Sequence, residues 1–333
     1  MTGDGVYTAE DFIMDTTVRQ QIYGEYAARA CESASDLMRR IEDRMSFFRS
    51  GSDIRALNEA AGTGGPVPVC ADTMTVLRAA RDYAEQSDGA FDVTAAPLSV
   101  YWREAAAGGD GRPDSKLPDE EALRRVRRLV GSDGLRLFPE AGTAMLEKKH
   151  SAVDLGGIAK GFAADRVVEL YRAMGIAAAL VNLGGNVKTL GRKPDGQPWI
   201  IGLQDPDEAR GVYFGLLRVG GTSVVTSGAY ERFVKIAGER YHHIMDPRSG
   251  RPARAGLSSA TVIAEDSMRA DALSTAIFVL GRERAGRLLS AYPGTEAVLM
   301  DDSRRVWLSP GIRETWAPAP GYEDLPVHAL EKG

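Results

Sequence analysis

The order of apolar patterns after residue 151 most constrains what this chain can fold into. DLGG at 154–157 turns into a helix over about 158–174, and AAALVNLGG at 177–185 reads as a buried strand ending in glycines. Strand-like pieces follow at 199–203, 212–218, 223–227, 231–236 and 257–264. DSMRADALSTAIFVLG at 266–281 is a helix with Gly281 at its end, and EAVLMDD at 296–302 is another strand. Strands and helices mix without a strict strand–helix–strand rhythm. The expected class is therefore α+β rather than a doubly wound parallel sheet.

The first half adds helices. Ala27, Ala30, Ala34, Leu37, Met38, Ile41 and Met45 recur at spacings of three and four, which predicts an amphipathic helix over 24–48. A second helix is expected after Asp72 as N-cap, through Val76, Leu77, Ala80 and Tyr83, ending at Asp88-Gly89. Residues 103–118, rich in Gly, Ala, Asp and Pro, read as a loop, followed by a short charged helix at 119–130. LRLF at 135–138 and TAMLEKK at 143–149 flank a hairpin turn. The polar, Pro-rich tail after Trp316 is expected to be loosely held. The domain is drawn at 12–316 and the tail at 317–333.

Composition removes several classes. With 333 residues, 44% apolar and 26% charged, the chain can bury a sizeable core as one large domain or two joined ones. A net charge of −5 offers no basic excess for nucleic acid. Two cysteines, Cys31 and Cys70, cannot build a disulfide framework or a metal cluster and are expected as buried thiols. No stretch reaches the roughly 20 apolar residues of a membrane span. The first residues carry acids and no long apolar run, so a cytoplasmic location is expected, or an exported one if a leader was removed.

Each chemical candidate has a plain structural reading beside it. The basic run Arg124, Arg125, Arg127 and Arg128 is a solvated helix face. Asp154 to Lys160 places glycines at a turn into a helix. There backbone N–H groups can approach an anion and Lys160 adds a point charge, or the turn merely caps the helix. Asn182-Leu-Gly-Gly-Asn186 is either a close backbone approach or a plain turn. His242 and His243 are adjacent, so on a strand they point to opposite faces, and at most one serves a given site. Asp271 and Thr275, four apart on a helix, share a face. They offer two hard oxygens for Mg²⁺, or are a surface Asp beside a Thr bonded back to its own helix.

Taken together and in order, these motifs resemble the ApbE family of FAD:protein FMN transferases, over about Met14 to Trp316. Met14-Asp-Thr is similar to the family's Met-Gly-Thr, with Asp15 in place of Gly. Ser46-Phe-Phe48 with Leu57-Asn58 is similar to its first active-site loop, where Phe48 takes the place of an aromatic near the flavin. Gly89-Ala-Phe-Asp92-Val-Thr94, Asp154 to Gly161, Asn182 to Gly185, Thr226-Ser-Gly228, His243-Ile-Met-Asp246-Pro and Asp271 to Thr275 complete the series.

The resemblance implies an α+β fold of mixed, largely antiparallel sheets flanked by helices. It implies FAD as donor, Mg²⁺, and transfer of FMN to a Thr or Ser hydroxyl of a target flavoprotein with release of AMP. Carried over, Asp271, Thr275 and the carbonyl of Gly157 would bind Mg²⁺. Met14, Phe48, Ala90, Phe91, Asp92, Asp154 and Lys160 would contact FAD, and His243 would lie closest to the acceptor. Asp246 would orient the His243 imidazole, and Phe48 with Phe91 would wall the isoalloxazine. An FAD pyrophosphatase giving FMN and AMP, and a non-catalytic flavin-binding protein, remain as alternatives. The chain lacks the family's acceptor motif, so it is expected to be a modifier rather than a target.

Overall fold

The computed structural model describes residues 5–107, 117–230, 233–236 and 239–332. Its centre is a nine-stranded sheet whose spatial order repeats the chain order. The strands are β1 (Val6–Ile13), β2 (Thr16–Tyr23), β3 (Ala178–Leu183), β4 (Asn186–Leu190), β5 (Ser223–Gly228), β6 (Leu257–Ala264), β7 (Glu296–Asp301), β8 (Val306–Leu308) and β9 (Val327–Ala329). Every neighbouring pair is antiparallel except β8–β9. The α+β class is what the chain adopts. Smaller sheets and four long helices hang from the connections between these strands: α1 (Ala27–Met45), α2 (Ala71–Gln86), α3 (Ala159–Ala173) and α4 (Ser267–Leu280).

The central strands read as continuous apolar runs because both faces are covered. Val225, Val262 and Leu299 turn toward the helices, where α1, α3 and α4 pack. Their neighbours Val224, Ile263 and Val298 turn to the other side and meet Trp199, Phe214 and Leu217 of a three-stranded sheet. This alternation is the period of two expected of strands. Helix α4 lies between sheet and helices, and it is apolar nearly all round because little of it meets water.

Several boundaries differ from the sequence reading. Cys70, not Asp72, caps α2: its Sγ accepts from the Thr73 N–H, and Asp72 sits in the first turn. Residues through Ala107 are helical (Ala96–Ala107), whereas the expected loop's 108–116 lie outside the described residues, as do 231–232 of an expected strand. The β1–β2 hairpin was not anticipated. Its turn is Met14–Asp15, both at φ 56° without glycine. The tail is not loose. Trp316–Pro318 pairs with Gly215–Leu217, β9 joins the central sheet, and Leu330 is buried. Lys332 Nζ donates to the Thr295 carbonyl and to Glu296. Apolar Ala319 and Leu330 are spaced through the polar run and anchor it. No helix among the described residues is long and apolar enough to cross a membrane.

Candidate active site

A cleft of about 550 Å³ opens where the connections of the sheet converge. The β1–β2 turn brings Met14, and the loop after α1 brings Phe48. The segment after α2 brings Ala90, Phe91 and Asp92, and the turn into α3 brings Asp154, Gly157 and Lys160. The β5–β6 connection brings His243, and α4 brings Asp271 and Thr275. All of these residues line this one cleft, whereas Asp246 is not among its lining residues.

Asp271 is buried, not a surface acid on a helix face. Its Oδ2 accepts from the Gly161 N–H at 2.9 Å, and Lys160 Nζ lies 3.8 Å from the same oxygen. Burial pushes its pKa up; Lys160, the Gly161 N–H and the Asn186 amide oppose that without cancelling it. This contact depends on Gly161, because a Cβ there would come within 2.3 Å of the Ser267 carbonyl oxygen and force α3 off α4. Lys160 also donates to the Gly156 carbonyl. The Thr275 hydroxyl reaches back to the Asp271 carbonyl only at 3.5 Å and lies 3.3 Å from Ser227 Oγ. A Cβ on Gly157 would lie 3.6 Å from Thr275 Oγ1 and 3.3 Å from the Phe91 ring, so glycine leaves that corner open.

These donors fit a hard cation. They offer one carboxylate, one hydroxyl and a carbonyl, the sparse oxygen set with which Mg²⁺ keeps several waters. No cluster of three or more His, Cys, Asp or Glu occurs among the described residues.

The aromatic walls differ in character. Phe48 is 62% exposed, edge-to-face with Phe47 and under the Arg103 guanidinium at 5.7 Å. Phe91 is buried against Tyr83 and backs the Gly157 turn rather than offering an open face. Asp92 is also occupied. Its carboxylate caps Thr94 through N–H and hydroxyl and accepts from the Ser132 N–H, while burial raises its pKa against these donors. Asp154 Oδ1 accepts from the Gly156 N–H and shapes the turn.

The two histidines separate as adjacent residues at a strand end should. His243 is exposed and lines the cleft. His242 Nε2 bonds the Ala253 carbonyl at 2.8 Å and its ring stands edge-on to Phe278, and burial lowers its pKa. The Asp246 carboxylate is gripped by the Arg248 guanidinium through both oxygens. The basic run lies on the exposed face of the helix Glu120–Arg127, with Arg125 paired to Glu121.

The cleft also holds residues that sequence reading did not single out: Phe12, Asn186 and Ser227. Asn186 closes a motif read as either a close backbone approach or a plain turn, and Ser227 stands in a quoted but unassigned stretch. Phe12 belongs to the unanticipated hairpin, so no signal pointed to it.

The structure superposes on the ApbE protein of Thermotoga maritima with a TM-score of 0.80 at 32% identity, over 91% of this chain and 96% of that one. It superposes on the flavin transferase ApbE of Vibrio cholerae with a TM-score of 0.78 at 26% identity, over 97% of this chain and 99% of that one. A curated relative from Klebsiella pneumoniae, named FAD:protein FMN transferase, is 33% identical over 97% of this chain and 98% of its own length. One of the same name from Treponema pallidum is 35% identical over 92% of this chain and 87% of its own. The ApbE family model matches residues 14–299, and the chain belongs to the ApbE family.

Proposed function

We propose that this protein is an Mg²⁺-dependent transferase that moves FMN from FAD to a Thr or Ser hydroxyl of a target flavoprotein and releases AMP. The observation that carries this reading is the convergence in one cleft of an exposed aromatic, a glycine turn with a lysine, a buried acid beside a hydroxyl, and a histidine. The names of its relatives support it.

The residues divide the work. The turn at 154–157 and Lys160 receive the pyrophosphate, whose charge they offset. Phe48 offers a face for a flat ring. Asp271, Thr275 and the Gly157 carbonyl would hold Mg²⁺, which when bound supplies charge neutralisation at the leaving phosphate. His243 takes the proton from the acceptor hydroxyl. The hydroxyl oxygen bonds to the FMN phosphorus, the P–O bond to AMP breaks, and AMP leaves with the electron pair.

The test is incubation with FAD and Mg²⁺, with and without a hydroxyl-bearing acceptor peptide, following AMP and free FMN. The reading expects AMP release to depend on metal and on peptide. Equal AMP and free FMN with or without peptide would assign the chain as an FAD pyrophosphatase instead. FAD bound but never cleaved would assign a non-catalytic flavin-binding protein.

A further inference from the structure

Three hydroxyls meet where β5 packs on α4. Ser227 stands two residues after Val225 on β5, so it faces the helices, and it lines the cleft. Ser274 and Thr275 are neighbours on α4, three and four residues after Asp271. Ser274 is fully buried, and its hydroxyl donates to the Asp271 carbonyl at 2.8 Å. Ser227 Oγ lies 2.9 Å from Ser274 Oγ and 3.3 Å from Thr275 Oγ1. A hydroxyl has one proton to donate and two lone pairs with which to accept. A carbonyl only accepts, so the Ser274 proton is committed to Asp271. The contact between the serines must then be donated by Ser227, which spends the Ser227 proton. The contact between Ser227 and Thr275 must in turn be donated by Thr275. The other acceptor within reach of that proton, the Asp271 carbonyl, is farther away at 3.5 Å. The protons therefore run one way, from Thr275 to Ser227 to Ser274 to the Asp271 carbonyl.

We propose that Ser227 is a positioning residue for the cation site, holding the Thr275 proton on the protein side so that the Thr275 lone pairs turn to the metal. This rests on the Mg²⁺ reading above and adds the group that sets the hydroxyl orientation of one of its ligands. A neutral hydroxyl meets a cation through a lone pair, and a proton turned toward the cation is repelled by it. Thr275 thus needs an acceptor for its proton away from the metal, and Ser227 is that acceptor. Ser274 is the anchor of the relay. By accepting from Ser227 it keeps the Ser227 proton off the Thr275 oxygen. Groups that orient a metal ligand without touching the metal contribute about 10- to 100-fold in affinity.

The test uses the full-length protein without FAD and titrates Mn²⁺ as an EPR-visible probe. Ser227→Ala removes the acceptor of the Thr275 proton, and its Mn²⁺ midpoint is expected to rise about 10- to 100-fold. Ser274→Ala leaves every cleft-lining group in place but frees the Ser227 proton to turn on Thr275. Its midpoint is expected to rise as well, by less. Thr275→Val keeps the side-chain shape and removes the ligand, which raises the midpoint by itself. Adding Ser227→Ala to Thr275→Val is expected to cause no further rise, since Ser227 acts through that hydroxyl. A wild-type midpoint in either folded serine variant overturns the proposal. A further rise in the double variant also overturns it, because Ser227 would then meet the cation itself. If Ser227→Ala does not fold, Ser274→Ala decides alone: a raised midpoint supports the proposal and a wild-type midpoint overturns it. A wild-type protein that binds no Mn²⁺ refutes the metal reading itself and this proposal with it, a result distinct from all the others.

Discussion

His243 and His242 differ by one position in sequence and by function in this account. His243→Ala should slow FMN transfer about 100- to 10,000-fold, the usual worth of a general base, while FAD affinity changes little. The wild-type rate should fall as pH drops and the imidazole protonates, and that limb should vanish in the variant. His242→Ala should instead lower thermal stability and spare transfer, because its ring is spent on Ala253 and Phe278. A pH–rate series on both variants checks this, and greater damage to transfer from His242→Ala would reverse the assignment. At Asp271 burial changes the choice of variant. Asp271→Ala strands the Gly161 N–H, which costs about 1–3 kcal/mol on top of any catalytic loss. Asp271→Asn keeps a hydrogen-bond acceptor and should abolish Mg²⁺-dependent AMP release in a protein that melts near the wild type. At this scale the sequence was informative about which residues gather, because the motifs carry their identity locally. It was silent on burial. The spacing of Asp271 and Thr275 says they share a face but not that the face is covered by α3.

The elements that present the site are locked to one another by a buried pair. Lys188 on β4 donates to Asp165 on α3 and to the Glu265 carbonyl, and Asp165 in turn accepts from the N–H groups of Ser267 and Met268. One carboxylate thus joins the Lys160 helix, the start of the Asp271 helix and the sheet. Burial raises the pKa of Asp165 against the pull of Lys188 and these N–H groups. Asp165→Ala leaves the Lys188 ammonium buried without its partner and should destabilise by about 3–5 kcal/mol in urea unfolding. A loss below about 1 kcal/mol, the range of a surface pair, would show the joint to be incidental. Neither residue could be chosen from sequence, since an Asp and a Lys 23 positions apart carry no local sign of pairing. Strands with covered faces were legible as apolar runs. The β1–β2 hairpin was not, because its turn uses Met14 and Asp15 where glycine or asparagine would have signalled it.

Across the whole molecule the chain is a meander with excursions, and the last excursion closes it. Composition made the tail look loose, but its hold comes from a few side chains reaching distant partners. Leu330→Ala should therefore cost about 2–5 kcal/mol, whereas a frayed end would cost nothing measurable. Tyr322 of the tail and Arg304 both hydrogen-bond Asp205, whose side chain is fully covered. Burial pushes the Asp205 pKa up, but Arg304, the Asp207 N–H and Tyr322 outweigh it and hold the group below its usual value. A depressed carboxyl pKa stabilises the fold above the unfolded value, about 3.9, and that contribution is lost as pH falls through the folded value. Arg304→Met should accordingly melt well below the wild type at pH 7, and the gap should close as Asp205 protonates in acid. A gap that persists at the acid end would mean that Arg304 acts by packing alone.

In the proposed function one cleft cleaves FAD and hands FMN to a protein hydroxyl. The most direct test is the intact mass of a Thr-bearing acceptor polypeptide after incubation with this protein, FAD and Mg²⁺. The expected result is a gain of one FMN on the acceptor, matched by one AMP, absent with chelator and absent with Asp271→Asn. An acceptor of unchanged mass while FAD is consumed would contradict it.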